Sequence, residues 1–260
     1  MRYEHLLLDE HEGVATLTLN RPQALNALDL RLVDEMSHAL DALGDGGSTR
    51  ALLLTGAGRA FCSGGDVGGE FTPGATDAGA WLESHYNPLV MRLQELPFPV
   101  VVAVNGLAAG AGCSLALTGD FVLAARSAYF VLAFAHLGLV PDCGITWLLP
   151  RLVGHARATA MMMLGERVPA LQAEQWGFIH RAVDDADLMS AAQALAARLA
   201  GGPTRSYALI RRGIRACASA TLGEALAVER VNQRIAGDSE DFAEAIRAFR
   251  AKRAPEFRGR

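Results

Sequence analysis

The sequence predicts a layered α/β protein with a largely parallel sheet, followed by a helical C-terminal region. Apolar runs typical of buried strands alternate with helical segments through the first two-thirds of the chain, the order that gives parallel strands covered by helices. Two of these runs, at residues 51–55 and 100–104, each lead into a glycine-rich segment. Because Gly201-Gly202-Pro203 precedes three alanine-rich helical stretches, we expect a core over residues 1–200 and a helical region over residues 201–260.

The N-terminal elements follow from local patterns. Residues 4–20 predict two strands joined by a turn at Glu12-Gly13, since the second half is rich in valine, threonine and leucine. Asp29 can cap a helix over residues 30–43, which ends in a glycine-rich stretch. A strand over residues 50–55 is expected to follow it.

The middle of the chain is less regular. Residues 68–79 are rich in glycine, threonine and proline, so we expect this segment to be mobile. A helix is predicted over residues 80–96, where two prolines stop it. Short strands are predicted at residues 121–124 and 128–130, and the chain after Pro141 is predicted to be mainly helical.

Composition limits the classes of function. The chain has 260 residues, of which 51% are hydrophobic and 20% charged, so it can bury a large core. The net charge is −4 and there is no basic stripe, which argues against a nucleic-acid partner. Asn105 and glycines interrupt the apolar residues 98–118, so no membrane segment is expected. Isolated cysteines without metal spacing and an N-terminus unlike a signal peptide indicate a cytoplasmic protein with no metal site.

The two glycine-rich segments are the strongest indication of chemistry. They span residues 60–67 and 105–114, each follows an apolar strand, and the second opens a helix. Backbone N–H groups at such turns and helix starts have no intrahelical partner. Two of these turns brought together can bind one negatively charged oxygen, an oxyanion hole suited to acyl and thioester chemistry. Each segment taken alone is also compatible with a tight structural turn.

Short motifs along the chain, including the two glycine-rich segments, occur in the same order as in one known protein family. They are Asn20-Arg21-Pro22, Leu25-Asn26-Ala27-Leu28, residues 61–67, residues 105–114, Gly119-Asp120, residues 138–142, residues 148–154 and residues 248–257. In these motifs, over nearly its whole length, the chain resembles the crotonase (enoyl-CoA hydratase/isomerase) family. The resemblance implies a crotonase-type spiral of ββα repeats with a C-terminal helical trimerisation region. It also implies an acyl-CoA substrate, which brings its own coenzyme A with no prosthetic group, and a homotrimer or a hexamer of two trimers.

The resemblance assigns catalytic roles to individual residues. The backbone N–H groups of Gly65 and Ala111 would be the oxyanion donors. Hydratases of the family place two glutamates around the substrate, and the matching positions here are Ser114 and Phe134. The carboxyl pair that adds water to a double bond is therefore missing. Asp142 stands where some isomerases of the family carry an aspartate, and one carboxylate can move a proton from one carbon to another.

The surroundings of Asp142 are expected to be apolar. The resemblance implies a wall of Phe134, Leu137 and Trp147, which would raise the pKa of the carboxyl and make it a better base. Asp142 could instead be the N-cap of the helix that follows. Asp66, the other carboxylate in the motif loops, is expected to fix its own loop through backbone hydrogen bonds.

The run over residues 133–150 is similar to the ring-epoxide isomerases of phenylacetyl-CoA degradation, which also shift double bonds in enoyl-CoAs. The leading hypothesis is therefore an acyl-CoA isomerase with Asp142 as acid and base. Ile145 replaces the glycine usual in that branch and could reshape the acyl pocket. The alternatives are an enoyl-CoA hydratase, a thioester hydrolase using Cys143 and His136, and a non-catalytic relative that binds coenzyme A or RNA.

Coenzyme A contacts follow from the same resemblance. The expected contacts are Ala24, Leu25 and Ala27 along pantetheine and adenine, Ser63, Gly64, Asp66 and Val67 beside the thioester and adenine, and Phe249 and Lys252 from the C-terminal region. Lys252 is the only lysine of the chain. Its ammonium suits a phosphate, and it is equally compatible with a solvated lysine at a helix C-terminus.

Overall fold

The computed structural model describes residues 3–68, 72, 74 and 77–260. Half of the segment expected to be mobile, residues 69–71, 73, 75 and 76, therefore lies outside the described residues. The strands of the described part are β1 (Leu6–His11), β2 (Val14–Leu19), β3 (Ala51–Gly56), β4 (Ala60–Cys62), β5 (Val100–Val104), β6 (Leu107–Ala109), β7 (Phe121–Ala125), β8 (Tyr129–Val131), β9 (Val168–Pro169) and β10 (Arg181–Val183).

These strands form two sheets. The larger sheet has the order β1-β2-β3-β5-β7-β10, and the smaller has the order β4-β6-β8-β9. All pairs in the larger sheet are parallel except the hairpin of β1 and β2. Each successive pair, β3 with β4, β5 with β6 and β7 with β8, gives one strand to each sheet. The expected spiral of ββα repeats is confirmed.

Helices connect and cover the sheets. They are α1 (Leu30–Gly44), α2 (Ala78–Trp81), α3 (Asn87–Glu95), α4 (Ala111–Leu117), α5 (Ile145–Val153), α6 (His155–Leu164), α7 (Ala170–Trp176), α8 (Leu188–Ala200), α9 (Thr204–Cys217), α10 (Leu222–Gly237) and α11 (Glu240–Arg250). A π turn at Leu82–Tyr86 joins α2 to α3. The Asp29 carboxylate accepts a hydrogen bond of 2.8 Å from Leu32 N–H, so the predicted cap of α1 is confirmed.

The core lies around the centre of the larger sheet. Every residue of β3 and β5 is buried, because α8 contacts both strands and the neighbouring strands close their edges. Burial on both faces explains why these strands are continuous apolar runs and do not alternate. The glycine segments follow these strands, so the core fixes the positions of both.

The C-terminal helices are tied to the core by a buried arginine. Arg211 of α9 donates to the backbone carbonyls of Leu93, Leu96 and Phe98, and its Nε lies 2.8 Å from Asp120 Oδ2. These contacts satisfy carbonyls at the C-terminal end of α3 that have no partner inside the helix.

The outer faces of the C-terminal helices are apolar. No residue of α10 is buried, and a depression of about 630 Å³ lies between α9, α10 and α11. The large exposed apolar side chains of these helices are Ile210, Ile214, Leu222, Leu226, Phe242, Ile246 and Phe249. Within the described part of the chain, no helix is both long and apolar enough to cross a membrane.

Candidate active site

The first glycine loop is held by the backbone of Leu28. Leu28 N–H donates to Gly64 O at 2.8 Å, and Asp66 N–H donates to Leu28 O at 3.0 Å, which forms an isolated parallel bridge between Leu28 and Gly65. In a trans peptide the C=O and N–H groups point in opposite directions. Because Gly64 O points at Leu28, the Gly65 N–H points away from it, and no hydrogen bond among the described residues uses this N–H.

The second glycine loop ends at the N-terminus of α4. Gly110 has φ of 50°, a conformation that favours glycine, and its carbonyl accepts a hydrogen bond of 3.1 Å from Ser114 N–H. This bond aligns the Gly110–Ala111 peptide with the helix axis, so Ala111 N–H points out of the helix N-terminus. None of the hydrogen bonds found in the described ranges has Ala111 N–H as its donor.

The two loops meet at Gly64. A Cβ built on Gly64 would lie 3.0 Å from Ala109 O and 3.5 Å from Ala111 N, and Gly64 has φ of 100°. A larger residue would therefore clash with the second loop and strain the backbone. The structure brings the two glycine segments together, with the Gly65 and Ala111 amides on adjacent backbone segments.

Asp142 lies beside the second loop. Ser114 Oγ is 3.2 Å from the backbone carbonyl of Asp142, which links α4 to the residues before α5. Burial raises the pKa of the Asp142 carboxyl above its ordinary value, and a hydrogen bond from the Cys143 thiol partly opposes this. Asp142 Oδ1 is buried and has no hydrogen-bond partner among the described residues. An unpaired carboxylate oxygen with a raised pKa is the arrangement expected of a general base.

The N-cap alternative for Asp142 does not fit the structure. Helix α5 begins at Ile145, its N-cap residue is Gly144, and no side chain caps it. Cys143 and Gly144 both have positive φ, of 53° and 77°, so two residues in the left-handed region separate Asp142 from the helix.

Ser114 and Phe134 occupy the positions of the hydratase glutamates. Ser114 is 1% exposed, and its hydroxyl lies 3.4 Å from Gly110 O as well as 3.2 Å from Asp142 O. Phe134 is buried, with its ring edge 3.7 Å from a Cβ built on Gly110. Phe134 therefore contacts the second loop as an apolar wall, whereas Ser114 contacts backbone carbonyls behind that loop.

The other two residues of the expected apolar wall lie at the surface. Leu137 is exposed. Trp147 is 46% exposed, with the Arg151 guanidinium 4.2 Å from its ring centre. Trp147 lines a depression of about 590 Å³ together with Asp120 and Arg211, and Asp142 is not among its lining residues. Of the three expected wall residues, the structure places only Phe134 against the glycine loops.

Sequence reasoning missed Tyr86. Its hydroxyl donates to Leu28 O at 2.8 Å and lies 3.6 Å from a Cβ built on Gly65. Burial raises the pKa of this hydroxyl above its ordinary value, and the Asp142 charge raises it further. No motif marks this residue, and the available signal was an aromatic hydroxyl within a predicted helix next to the glycine loops.

Cys143 and His136 do not form a nucleophilic pair. Burial raises the pKa of the Cys143 thiol far above its usual range, and the Asp142 charge raises it further. Among the described residues, His136 Nε2 contacts Leu164 O at 2.9 Å and makes no hydrogen bond to Cys143. A thiol that stays protonated without a base is a poor nucleophile.

The expected coenzyme A contacts fall into two places. Ser63 N–H donates to Leu25 O at 3.0 Å and Ser63 Oγ lies 3.3 Å from Ala24 O, so the segments 24–27 and 63–67 are adjacent. Asp66 accepts a hydrogen bond of 3.0 Å from Arg21, and Val67 next to it is exposed.

The remaining two expected contacts lie at the end of α11. Phe249 is 83% exposed, Lys252 is exposed, and Lys252 N–H donates to Phe249 O at 3.2 Å. No hydrogen bond among the described residues joins either of them to segments 24–27 or 63–67.

Comparison with known proteins assigns the chain to a family. The sequence profile of the family described as Enoyl-CoA hydratase/isomerase matches residues 9–260. The chain belongs to this family. Among its relatives, a 1,2-epoxyphenylacetyl-CoA isomerase of Escherichia coli (strain K12) is 49% identical over 99% of both chains. A probable enoyl-CoA hydratase of Rhodobacter capsulatus is 43% identical over 100% of both. A crystal structure from Streptomyces coelicolor A3(2), assigned to the enoyl-CoA hydratases, has a TM-score of 0.93 at 38% identity and covers 100% of this chain and 96% of that chain.

Membership in the enoyl-CoA hydratase/isomerase family is consistent with one shared role for the two glycine loops, the binding of a thioester oxygen. The similar proteins reported above are named for coenzyme A thioesters, and paired amide donors beside a carboxylate suit the enolate of a thioester. Isomerase and hydratase names both occur among the similar proteins. The family therefore fixes the class of enzyme, and the choice between the two reactions depends on the side chains of this chain.

Proposed function

We propose that the protein is an acyl-CoA isomerase in which Asp142 moves a proton between two carbons of the bound acyl group. One observation carries the proposal: Asp142 is a half-buried residue with a buried, unpaired carboxylate oxygen beside the second glycine loop, whereas Ser114 and Phe134 occupy the hydratase glutamate positions. The site thus offers one carboxyl group for proton transfer.

The proposed reaction needs one base and one oxyanion site. The Asp142 carboxylate removes a proton from the α-carbon of a β,γ-enoyl thioester, and the electron pair moves into a dienolate. The dienolate oxygen accepts hydrogen bonds from the Gly65 and Ala111 amides, and loss of one such donor typically costs about 10²–10³ in rate. The Asp142 carboxylic acid then returns the proton to the γ-carbon, which gives the α,β-enoyl thioester.

Hydration makes a different demand on the site. Addition of water needs a base that orients the water and an acid that protonates the α-carbon. The Ser114 hydroxyl is engaged with two backbone carbonyls, and the Phe134 ring has no ionisable group. The hydratase alternative is kept because relatives carry that name.

An aromatic substrate is the second part of the proposal. The relative at 49% identity is a 1,2-epoxyphenylacetyl-CoA isomerase, and Phe134 gives the second loop an aromatic contact. We therefore propose that the ring epoxide of phenylacetyl-CoA is a substrate besides enoyl thioesters. Ile145 is fully buried, so its departure from the usual glycine acts through packing below the start of α5.

We propose that the protein assembles as a homotrimer or a hexamer of two trimers. Exposed apolar side chains on α9, α10 and α11 support this, since faces of this kind are commonly buried between subunits. In such an assembly Phe249 and Lys252 would reach coenzyme A of their own or of a neighbouring subunit. Light scattering of the purified protein measures the subunit number, and a monomer would contradict the proposal.

Three thioesters offered separately in deuterated water separate the candidate reactions: a β,γ-enoyl-CoA, an α,β-enoyl-CoA and the ring epoxide of phenylacetyl-CoA. We expect double-bond migration with the first, ring expansion to the oxepin thioester with the third, and little hydration of the second. Hydration at a typical enzymic turnover of about 10 s⁻¹ or faster, without migration or ring expansion, would show that the enzyme is a hydratase. Release of free coenzyme A would indicate a hydrolase.

A further inference from the structure

Tyr86 is placed by an irregular turn of its helix. The π turn at Leu82–Tyr86 is closed by a hydrogen bond from Asn87 N–H to Leu82 O. π turns inside helices are rare and occur frequently at functional sites. Tyr86 is the last residue of this turn and is 7% exposed, so the turn directs an aromatic side chain into the protein next to the first glycine loop.

The Tyr86 hydroxyl contacts the segment that holds Gly65. It donates to Leu28 O at 2.8 Å, and the same carbonyl accepts Asp66 N–H at 3.0 Å. Leu28 N–H donates in turn to Gly64 O. The backbone of Leu28 therefore binds the peptide groups on both sides of Gly65, and the Tyr86 hydroxyl fixes the carbonyl at the centre of this arrangement.

We propose that Tyr86 is a positioning residue. Its hydroxyl holds the Leu28 backbone so that the Gly65 N–H stays oriented toward the thioester oxygen. The inference rests on the proposed oxyanion site and adds a residue to it. Oxyanion donors are effective because they are already oriented before charge develops. A small rotation of the Gly64–Gly65 peptide would lengthen the hydrogen bond to the thioester oxygen without opening the fold.

Tyr86 has little scope to act as a proton donor to the substrate. Its proton is already donated to Leu28 O. Burial raises the pKa of the Tyr86 hydroxyl far above its ordinary value, and the Asp142 charge raises it further. The hydroxyl therefore stays neutral near neutral pH, and its effect on the reaction passes through the backbone.

The test replaces the hydroxyl alone, with Tyr86→Phe. The matched control is Thr118→Val, which removes a buried hydroxyl that donates to a backbone carbonyl, Leu115 O, at 2.7 Å from the far end of α4. Thermal unfolding of both variants checks that each is folded. The first readout is kcat and KM for the thioester that the wild-type enzyme converts. The second is the infrared carbonyl band of bound phenylacetyl-CoA labelled with ¹³C in the thioester carbonyl, which moves to lower frequency when amides polarise the carbonyl.

We expect Tyr86→Phe to lower kcat about tenfold, less than the 10²–10³ lost with a whole donor, with KM within about twofold. The carbonyl band should return part of the way to its free position in Tyr86→Phe, while Thr118→Val keeps the wild-type band and kcat. If Tyr86→Phe has the same carbonyl band and the same kcat as the wild-type enzyme, the inference is overturned and the proposed function is left intact. A large loss of kcat with an unchanged band would also overturn it, in favour of direct proton donation. If the ligand bound to the wild-type enzyme has the same carbonyl band as the free ligand, the two amides do not polarise the thioester. That result would refute the oxyanion site and, with it, the proposed function.

Discussion

Replacement of Asp142 by asparagine separates the chemistry of this carboxyl group from its packing. The two side chains have nearly the same shape, so the variant removes the base and keeps the volume. A positioned general base contributes about 10²–10⁴-fold, so we expect kcat for double-bond migration to fall by that factor, about 3–5 kcal/mol in the barrier. The expected coenzyme A contacts lie on other segments, so KM should change little.

The same substitution should stabilise the protein, because the half-buried Asp142 has a buried carboxylate oxygen with no partner among the described residues. Burial raises the folded-state pKa of Asp142 above its ordinary value of 3.8. An acid whose pKa is raised by folding destabilises the folded state as the pH rises from its ordinary pKa to its raised pKa. Asp142→Asn carries no charge at any pH, so it should be more stable than wild type at neutral pH. The difference should vanish below the ordinary pKa, where the carboxyl is protonated in both states.

Two measurements on Asp142→Asn test its expected loss of activity and its expected gain of stability. Steady-state kinetics gives kcat and KM, and urea unfolding at several pH values gives the free energy of unfolding. Asp184→Asn is the control, because Asp184 is exposed and pairs with Arg126 at 2.6 Å at the surface, where ion pairs contribute little. Full isomerase activity in Asp142→Asn would refute the assignment of the base. Lower stability than wild type at neutral pH would refute the account of the unpaired carboxylate.

Three further outcomes are expected. The kcat/KM of the wild-type enzyme should fall on acidification with a midpoint above 3.8, because the base must be ionised and burial raises the pKa of Asp142; a pH–rate profile measures this, and a midpoint at or below 3.8 contradicts it. Arg211→Met removes the guanidinium from the Leu93 carbonyl and from Asp120, which keeps its hydrogen bond from Val100 N–H, so we expect the free energy of urea unfolding to fall by about 3–5 kcal/mol; a fall below about 1 kcal/mol would show that water replaces the guanidinium. Ser114→Ala removes the hydroxyl that contacts two backbone carbonyls, so the free energy of unfolding should fall by about 1 kcal/mol, and unchanged stability would mean that the hydroxyl contributes no net hydrogen bond.

Much of the fold was predictable because the decisive signals are local. The runs at residues 51–55 and 100–104 are apolar throughout, and strands buried on both faces produce that pattern. Asp29 was a recognisable cap, and its carboxylate accepts Leu32 N–H. Gly64 illustrates why glycine marks the loops, since its positive φ and the nearby Ala109 carbonyl exclude a side chain.

The neighbours of the site were harder to predict because their directions depend on irregular backbone. Cys143 and Gly144 adopt positive φ, so α5 starts later than a helix opened by Asp142 would, and Trp147 comes to lie at the surface. Tyr86 depends on a π turn, which adds a residue to one helical turn and shifts every side chain after it. Neither feature has a sequence signature comparable to a capping residue or a glycine turn.

Ser114 shows why the reaction type depends on more than one position. A glutamate there would have to enter a site where the present side chain is 1% exposed and lies behind Gly110 and Asp142 rather than beside open space. Burial of a carboxylate without partners is costly, and the new group would also break the contact that holds the Asp142 backbone. We therefore expect Ser114→Glu to lose isomerase activity without gaining hydration of an α,β-enoyl-CoA. Hydratase activity in that variant would show that the backbone around α4 and Asp142 adapts more readily than these contacts indicate.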